Sequence, residues 1–302
     1  MRATVMGAFS LKVGAAAWLR CEDRAMSQLP SDSADSYALG RSDAETRRLI
    51  MQHQLYGPFT RHFLTAAGIT AGMKVLDVGS GAGDVALLLA ELVGPQGRVV
   101  GVDTNAEILD RAASRAQSAG WSTLAFRQGD VLTLELDECF DAVVGRWVLQ
   151  YIPNPGALLR RARGWLRPGG IVAFQEIDLS SPPRTYPAGP LHEQVLAWTT
   201  PPPGVPGPDR EMGLKLFKVF LEAGLQAPQL RRDVPVGGGP AWPGYAYLAA
   251  TVRSLLPILE RVGAVKRGEV DIETLEDRLR AEVIGHDGIQ LLPALVGAWA
   301  RI

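Results

Sequence analysis

The sequence predicts an α/β protein: a doubly wound, seven-stranded, mostly parallel sheet with helices before it and a helical cover inserted near its end. Three observations carry this reading. From Met73 onward, short apolar runs alternate with helix-favouring segments, the pattern of parallel strands joined by crossover helices. The first run ends in a glycine turn, Val75-Leu76-Asp77-Val78-Gly79-Ser80-Gly81-Ala82-Gly83-Asp84, and a helical segment follows at once. Apolar residues make up 47% of the 302 positions, ample for a large core.

Residues 42–67 read as helix, with Leu49, Ile50, Leu55, Phe59 and Phe63 at near-helical spacing. Gly57-Pro58 predicts a break there, and hence two helices. Strands are expected at 74–78, 98–102, 124–128, 140–144 and 170–176, separated by helices at 84–92, 106–119 and 155–165. After Asp178 the composition shifts. Residues 180–207 are proline-rich around a short helical piece at 191–199, as in a lid or loop. A helix at 212–223, a sixth strand at 229–235, helices at 245–262 and 272–284, and a final strand at 289–300 complete the pattern.

The expected organisation is a disordered leader at 1–36, a helical cap at 37–72, a ligand-binding core at 73–178, and cover helices with the last strands at 179–302. Lys12 interrupts the apolar stretch near the start, so a secretory signal is disfavoured against a leader or a true start at Met26. A formal net charge of −1 gives no electrostatic case for nucleic acid or an anionic membrane as partner. No apolar run reaches membrane-spanning length. Cys21 and Cys139, far apart and without Cys/His spacing, predict neither a disulfide framework nor a metal site. That usage suits a reducing, cytoplasmic compartment.

In a parallel sheet the ligand lies at the carboxyl ends of the strands. Glycines there let backbone bend sharply against a ligand, and the helix start offers unpaired N–H groups. The second strand ends at Asp103-Thr104, where a carboxylate can accept both hydroxyls of a ribose. After the third, Asp130 can accept from an adenine amino group and the Val131 N–H can meet a ring nitrogen. The fourth ends in Gly145-Arg146-Trp147, beside the reacting centre. A dinucleotide fingerprint wants glycine or alanine one place after Gly83, where this chain has Asp84. An acid there would repel a pyrophosphate, whereas it can meet the ammonium of an amino-acid moiety.

VLDVGSGAGD, VVGVDTN, QGDVL, FDAVVGRWVLQYIPNP and LRPGG, in that order, resemble the successive motifs of Rossmann-like class I S-adenosylmethionine-dependent methyltransferases. The likeness is greatest to the bacterial small-molecule group that includes quinone-methylating enzymes, and it covers residues 37–176 well. It implies S-adenosyl-L-methionine as cofactor, with Gly79, Ser80, Gly81 and Gly83 near its methionine part. Asp77 and Asp84 would serve the turn or the amino group, Asp103 and Thr104 the ribose, and Asp130 and Val131 the adenine. The backbone of Gly145 and Arg146 would pass near the methionine part, and Tyr37 and Gln52 resemble contacts of the covering N-terminal segment.

Direct transfer from a sulfonium needs alignment more than catalytic groups, so no catalytic residue is fixed by the sequence. His192 is a candidate base, against the commoner lone surface histidine; Glu176, the second catalytic candidate, and Asp178 end the fifth strand as candidates for acceptor contact, against capping or solvated acids. Trp147, Trp242 and Tyr245 are candidates to line an acceptor pocket, or to be core. His53 and His62 read as helix-surface residues. The expected partner is a small-molecule acceptor; the oligomeric state is not encoded legibly. Two rivals stand beside this: a protein that binds the same cofactor without transferring methyl, and a nicotinamide-dependent oxidoreductase.

Overall fold

The computed structural model describes residues 43–180, 182–199 and 207–302, with side chains from Arg48 onward. The expectations for residues 1–36 and for Tyr37 therefore lie outside the described residues. A 25-residue helix, α1 (Asp43–Ala67), opens the fold. Then come β1 (Lys74–Val78), α2 (Asp84–Val93), β2 (Arg98–Asp103), α3 (Ala106–Ser118), β3 (Leu124–Gln128), β4 (Phe140–Arg146), α4 (Pro155–Gly164) and β5 (Leu166–Asp178). The rest runs β6 (Arg184–Tyr186), α5 (Pro190–Thr199), α6 (Met212–Glu222), β7 (Gln229–Asp233), β8 (Val236–Gly237), α7 (Gly244–Arg261), α8 (Leu275–Gly285), β9 (Ile289–Leu291) and β10 (Ala294–Arg301).

Seven strands form the main sheet in the order β3-β2-β1-β4-β5-β10-β7. β1 through β5 pair in parallel, and β10 is antiparallel to both neighbours. The strand order reverses between β1 and β4, so their carboxyl ends open the crevice such sheets use for ligands. Alternation along each strand fills both faces. Val75, Val144 and Ile171 meet Phe63, Leu64 and Leu89 on the side of α1 and α2. Leu76, Val143 and Phe174 meet Leu158, Leu216 and Phe220 on the side of α4 and α6. A third core, of Trp198, Tyr245, Leu248 and Leu279, belongs to the cover helices α5, α7 and α8.

Two expectations are corrected. α1 runs unbroken through Gly57-Pro58. A proline's clash with the residue before it falls largely on that residue's Cβ, which Gly57 lacks. Buried Leu55, Tyr56, Thr60, Phe63 and Leu64 anchor the helix on both sides of the proline. The expected last strand is instead two. β9 joins β6 and β8 in a three-stranded sheet, whereas β10 enters the main one. The same switch separates β7 from β8. Pro235 and Pro293 stand at the two crossings, where neither can donate to a ladder, and Leu292 N–H closes onto the Pro235 carbonyl at 3.0 Å.

Candidate functional site

The glycine turn is tight for internal reasons. Gly79, Gly81 and Gly83 all have positive φ, at 67°, 52° and 83°. A Cβ on Gly79 would approach Val148 to 2.7 Å and one on Gly83 would approach Ala112 to 3.0 Å, while the Gly81 position is open. Only Gly81 thus presents free space to a ligand. Ser80 turns its hydroxyl inward, toward Gly101, where it is buried without a partner. Asp84 lies at the start of α2 and is held by Arg115 at 2.7 Å, and Arg115 also donates to the Ala82 carbonyl. Asp84, expected to meet an ammonium, is engaged through Oδ1 by this internal ion pair.

Asp77 differs. It is 1% exposed, is held by the Ala86 N–H, and leaves its Oδ2 with no partner. Burial pushes its pKa up to about 8, against the pull of Arg146. Asp103 tensions the turn from the next strand: one oxygen accepts from Gly81 N–H and the other from Asn105 N–H, both at 3.0 Å. Beyond β2 and β3, Thr104 and Asp130 are exposed. Asp130 accepts from Leu132 N–H at 2.8 Å, and Val131 is buried beside it.

After β4 the chain is shaped by Glu176. This fully buried carboxylate accepts from the N–H groups of Val148, Leu149 and Gln150 at 3.0, 2.8 and 3.4 Å. Burial raises its pKa to about 8 despite those donors. Glu176 is therefore the builder of this turn, and its role as a base facing the acceptor is corrected. Gly145 packs against Phe174 and Val148, too close for a Cβ. Trp147 takes a left-handed φ of 59° and leaves its indole N–H buried without a partner. Its ring meets Tyr56 edge-on at 5.1 Å, and Tyr56 in turn meets Tyr247 edge-on at 6.1 Å.

Gln52 is spent on the seam between α1 and α7, accepting from Arg48 at 2.7 Å and from the Tyr247 hydroxyl at 3.3 Å. His192 is likewise spent. The indole of Trp242 can only donate, so at 2.8 Å it meets Gln290 Oε1. The Gln290 amide then faces His192 Nε2 at 2.8 Å, which must accept. His192 Nδ1 must therefore donate to Glu282, 2.6 Å away. Both ring nitrogens are engaged, burial lowers the pKa, and the candidate base is corrected to a strut of the cover. Trp242 packs between this cover and the Trp147 side, whereas Tyr245 is fully buried in the cover's own core. The structure does not bring Tyr245 to the crevice.

Three residues on the crevice escaped the sequence reading. His53 lies on α1 with its Nδ1 buried and unpartnered, and Thr60, seven residues on, accepts from Arg146 at 3.1 Å. Gln175, beside Arg146 in the ladder, has both amide atoms unpartnered. The polar i, i+7 spacing of His53 and Thr60 was the available signal, since a helix face that also carries Gly57 is not an ordinary solvated one.

Residues 69–200 match a family model described as a methyltransferase domain. An arsenite methyltransferase of Aquipseudomonas alcaligenes is 38% identical over 122 residues, which are 38% of this chain and 35% of that protein. A 2-phytyl-1,4-naphtoquinone methyltransferase of Synechococcus elongatus is 36% identical over 113 residues, 37% of this chain and 48% of that one. The chain thus spans about half or less of the length of these curated relatives. A solved structure from Bacillus halodurans superposes with a TM-score of 0.50 at 17% identity, over 80% of this chain and 97% of its own, and shares the fold. Residues 69–200 are thus similar to a methyltransferase domain, and the strand order and glycine turn agree with that likeness.

Proposed function

We propose that the chain is an S-adenosylmethionine-dependent methyltransferase that moves a methyl group directly and in line onto a small-molecule acceptor. The observation that carries this is the buried carboxyl of Asp77, whose Oδ2 has no partner, at the strand end that leads into the turn with the open Gly81 position, inside the matched residues. A buried carboxyl oxygen without a partner is costly, and a ligand carrying ammonium and sulfonium charge would relieve it. The residues present fit that cofactor. Gly81 leaves it room, while Gly79, Ser80, Gly83 and Gly145 shape the walls. Asp103 retains lone pairs for ribose hydroxyls, with Thr104 beside it, and Asp130 with the Val131 N–H suits an adenine edge.

When bound, the cofactor supplies an already activated methyl group. The protein's part is to align, to exclude water and to shape the acceptor's approach. No base is assigned, because the two candidates are structural. For the acceptor we favour a flat ring over arsenite. Trp147 offers a partly exposed ring with an unused indole donor, backed by buried Tyr56. Arsenite is soft and favours thiolates, and among the described residues the one thiol, Cys139, stands just before β4, at the opposite end of the strand from the crevice. The same reading keeps the protein in the reducing cytoplasm; among the described residues no helix is long and apolar enough to cross a membrane.

The test is incubation with S-adenosylmethionine labelled in its methyl group and a panel of quinols and phenols, followed by mass analysis. Label on a ring acceptor is the expected outcome. Binding with no transfer to the panel or to a cell extract would favour a cofactor-binding protein, and tight NAD binding without response to the sulfonium would sink the assignment.

A further inference from the structure

The hydrogen-bonded chain inside the cover has ends of fixed polarity. At one end Trp242 can only donate, and its indole N–H meets Gln290 Oε1 at 2.8 Å. At the other end Glu282 accepts. Its Oε1 takes the Leu191 N–H at 2.7 Å and its Oε2 the His192 N–H at 3.1 Å, so it caps the start of α5. Burial works against its charge, but these bonds and His192 hold its pKa below the ordinary carboxylate value. Between the ends stand two groups that can each face either way, the Gln290 amide and the His192 ring, 2.8 Å apart. The ends leave one solution, with His192 Nδ1–H donating to Glu282 at 2.6 Å and Nε2 accepting from Gln290. A second ring proton has no place in it. On Nε2 it would face the amide N–H, and an amide turned to accept it would set its own N–H against the indole N–H.

The link free to yield is Trp242. His192 is fixed in α5, and Gln290 in β9 is paired on both sides, with β6 and β8. Trp242 lies between β8 and α7, in a stretch flanked by Gly237-Gly238-Gly239 and Gly244, and its backbone N–H reaches the Gly239 carbonyl at a long 3.4 Å. Its ring nests against Gly237 and Gly244, where any Cβ would overlap it. It also packs on the core of Tyr56, Tyr247, Leu292 and Leu295 that Trp147 shares. The ring proton is governed locally. Burial holds the His192 pKa below its ordinary 6.5, and Glu282 is the charged group that pulls it back. Glu193 on α5 and Arg184 and Tyr186 on β6 are exposed, and β8 and β9 carry no charge. Tyr245 on α7 lies under Arg280 of α8, which Glu276 and Asp277 hold.

We propose that neutral His192 is a positioning residue: through Gln290 it sets Trp242 against the core shared with Trp147, and a proton on Nε2 releases the indole and loosens the cover on that side. The latch is independent of what the crevice methylates. Its effect on the acceptor's approach rests on the reading above.

The experiment follows acrylamide quenching of tryptophan emission in the full chain from about pH 7 down to about pH 4.5, with Trp242→Phe giving the background to subtract. In wild type the Trp242 signal should become about two- to threefold easier to quench in acid, with a midpoint below 6.5. His192→Gln supplies an amide that donates to Glu282 and accepts from Gln290 without titrating, so the transition should vanish with Trp242 still held. In Gln290→Glu one carboxylate accepts from both the indole and the protonated ring. The transition should vanish again, and the His192 titration followed by NMR should move up. A flat wild-type signal, or a transition that survives in either variant with native circular dichroism, overturns the proposal. Absence of methyl transfer would count against the reading above and would not alter these signals.

Discussion

Asp77 and Asp103 are both carboxylates at strand ends, yet they are held in opposite ways. Asp103 is satisfied by two backbone N–H groups and stays at the rim. Asp103→Ala should weaken S-adenosylmethionine binding by roughly 1.5–3 kcal/mol, through lost charge-assisted hydrogen bonds and a looser turn. Unchanged calorimetric affinity would remove Asp103 from the site. Asp77, by contrast, is buried and half-satisfied, and like Glu176 it has a pKa raised to about 8. Between the ordinary carboxylate range and pH 8, the folded chain thus holds protons that the unfolded chain has released, so stability contributed by these groups falls as pH rises. Thermal midpoints should decline from about pH 5 to 8, and less steeply in Asp77→Asn. The donor's cationic end favours ionised Asp77, so affinity should rise between about pH 6 and 7.5 in wild type and stay flat in that variant. A pH-independent wild-type affinity would contradict the buried, protonated state.

At the scale of elements, prolines decide boundaries according to what surrounds them. Pro58 is exposed on α1, and the helix passes through it because Gly57 yields and both flanks are anchored in cores. It still removes one helical hydrogen bond. Pro58→Ala should therefore stabilise the chain by about 1 kcal/mol or more in chemical denaturation; destabilisation would mean that a proline-set bend is needed for α1 to seat. Pro235 and Pro293 act the other way, ending the ladders of two antiparallel segments so that β7 and β10 pair in one sheet and β8 and β9 in the other. Neither outcome follows from a proline in isolation. It follows from whether neighbouring strands and cores can spare the missing N–H.

At the scale of the molecule, the cover has its own core and is tied internally by the chain from Trp242 through Gln290 and His192 to Glu282. Gln290→Leu would strand a buried indole N–H and a ring nitrogen, and should cost about 2–4 kcal/mol. Its S-adenosylhomocysteine affinity should stay within about twofold, because the network does not reach the glycine turn. A large loss of donor binding at unchanged stability would mean that cover and donor site are coupled. The sequence by itself determined the parallel core, its strand ends and the glycine turn, because period-2 apolar runs and glycines at positive φ are local demands. It also placed Asp77, Asp103 and Asp130 at or just beyond the ends of the first three strands. Only the tertiary structure decided what each polar side chain does. Glu176, His192, Gln52 and Asp84 all sat at plausible positions, and each is consumed by a partner distant in sequence. His53 was passed over, and its Nδ1 is buried without a partner. Burial and pairing are properties of packed neighbours, and no spacing along the chain records them.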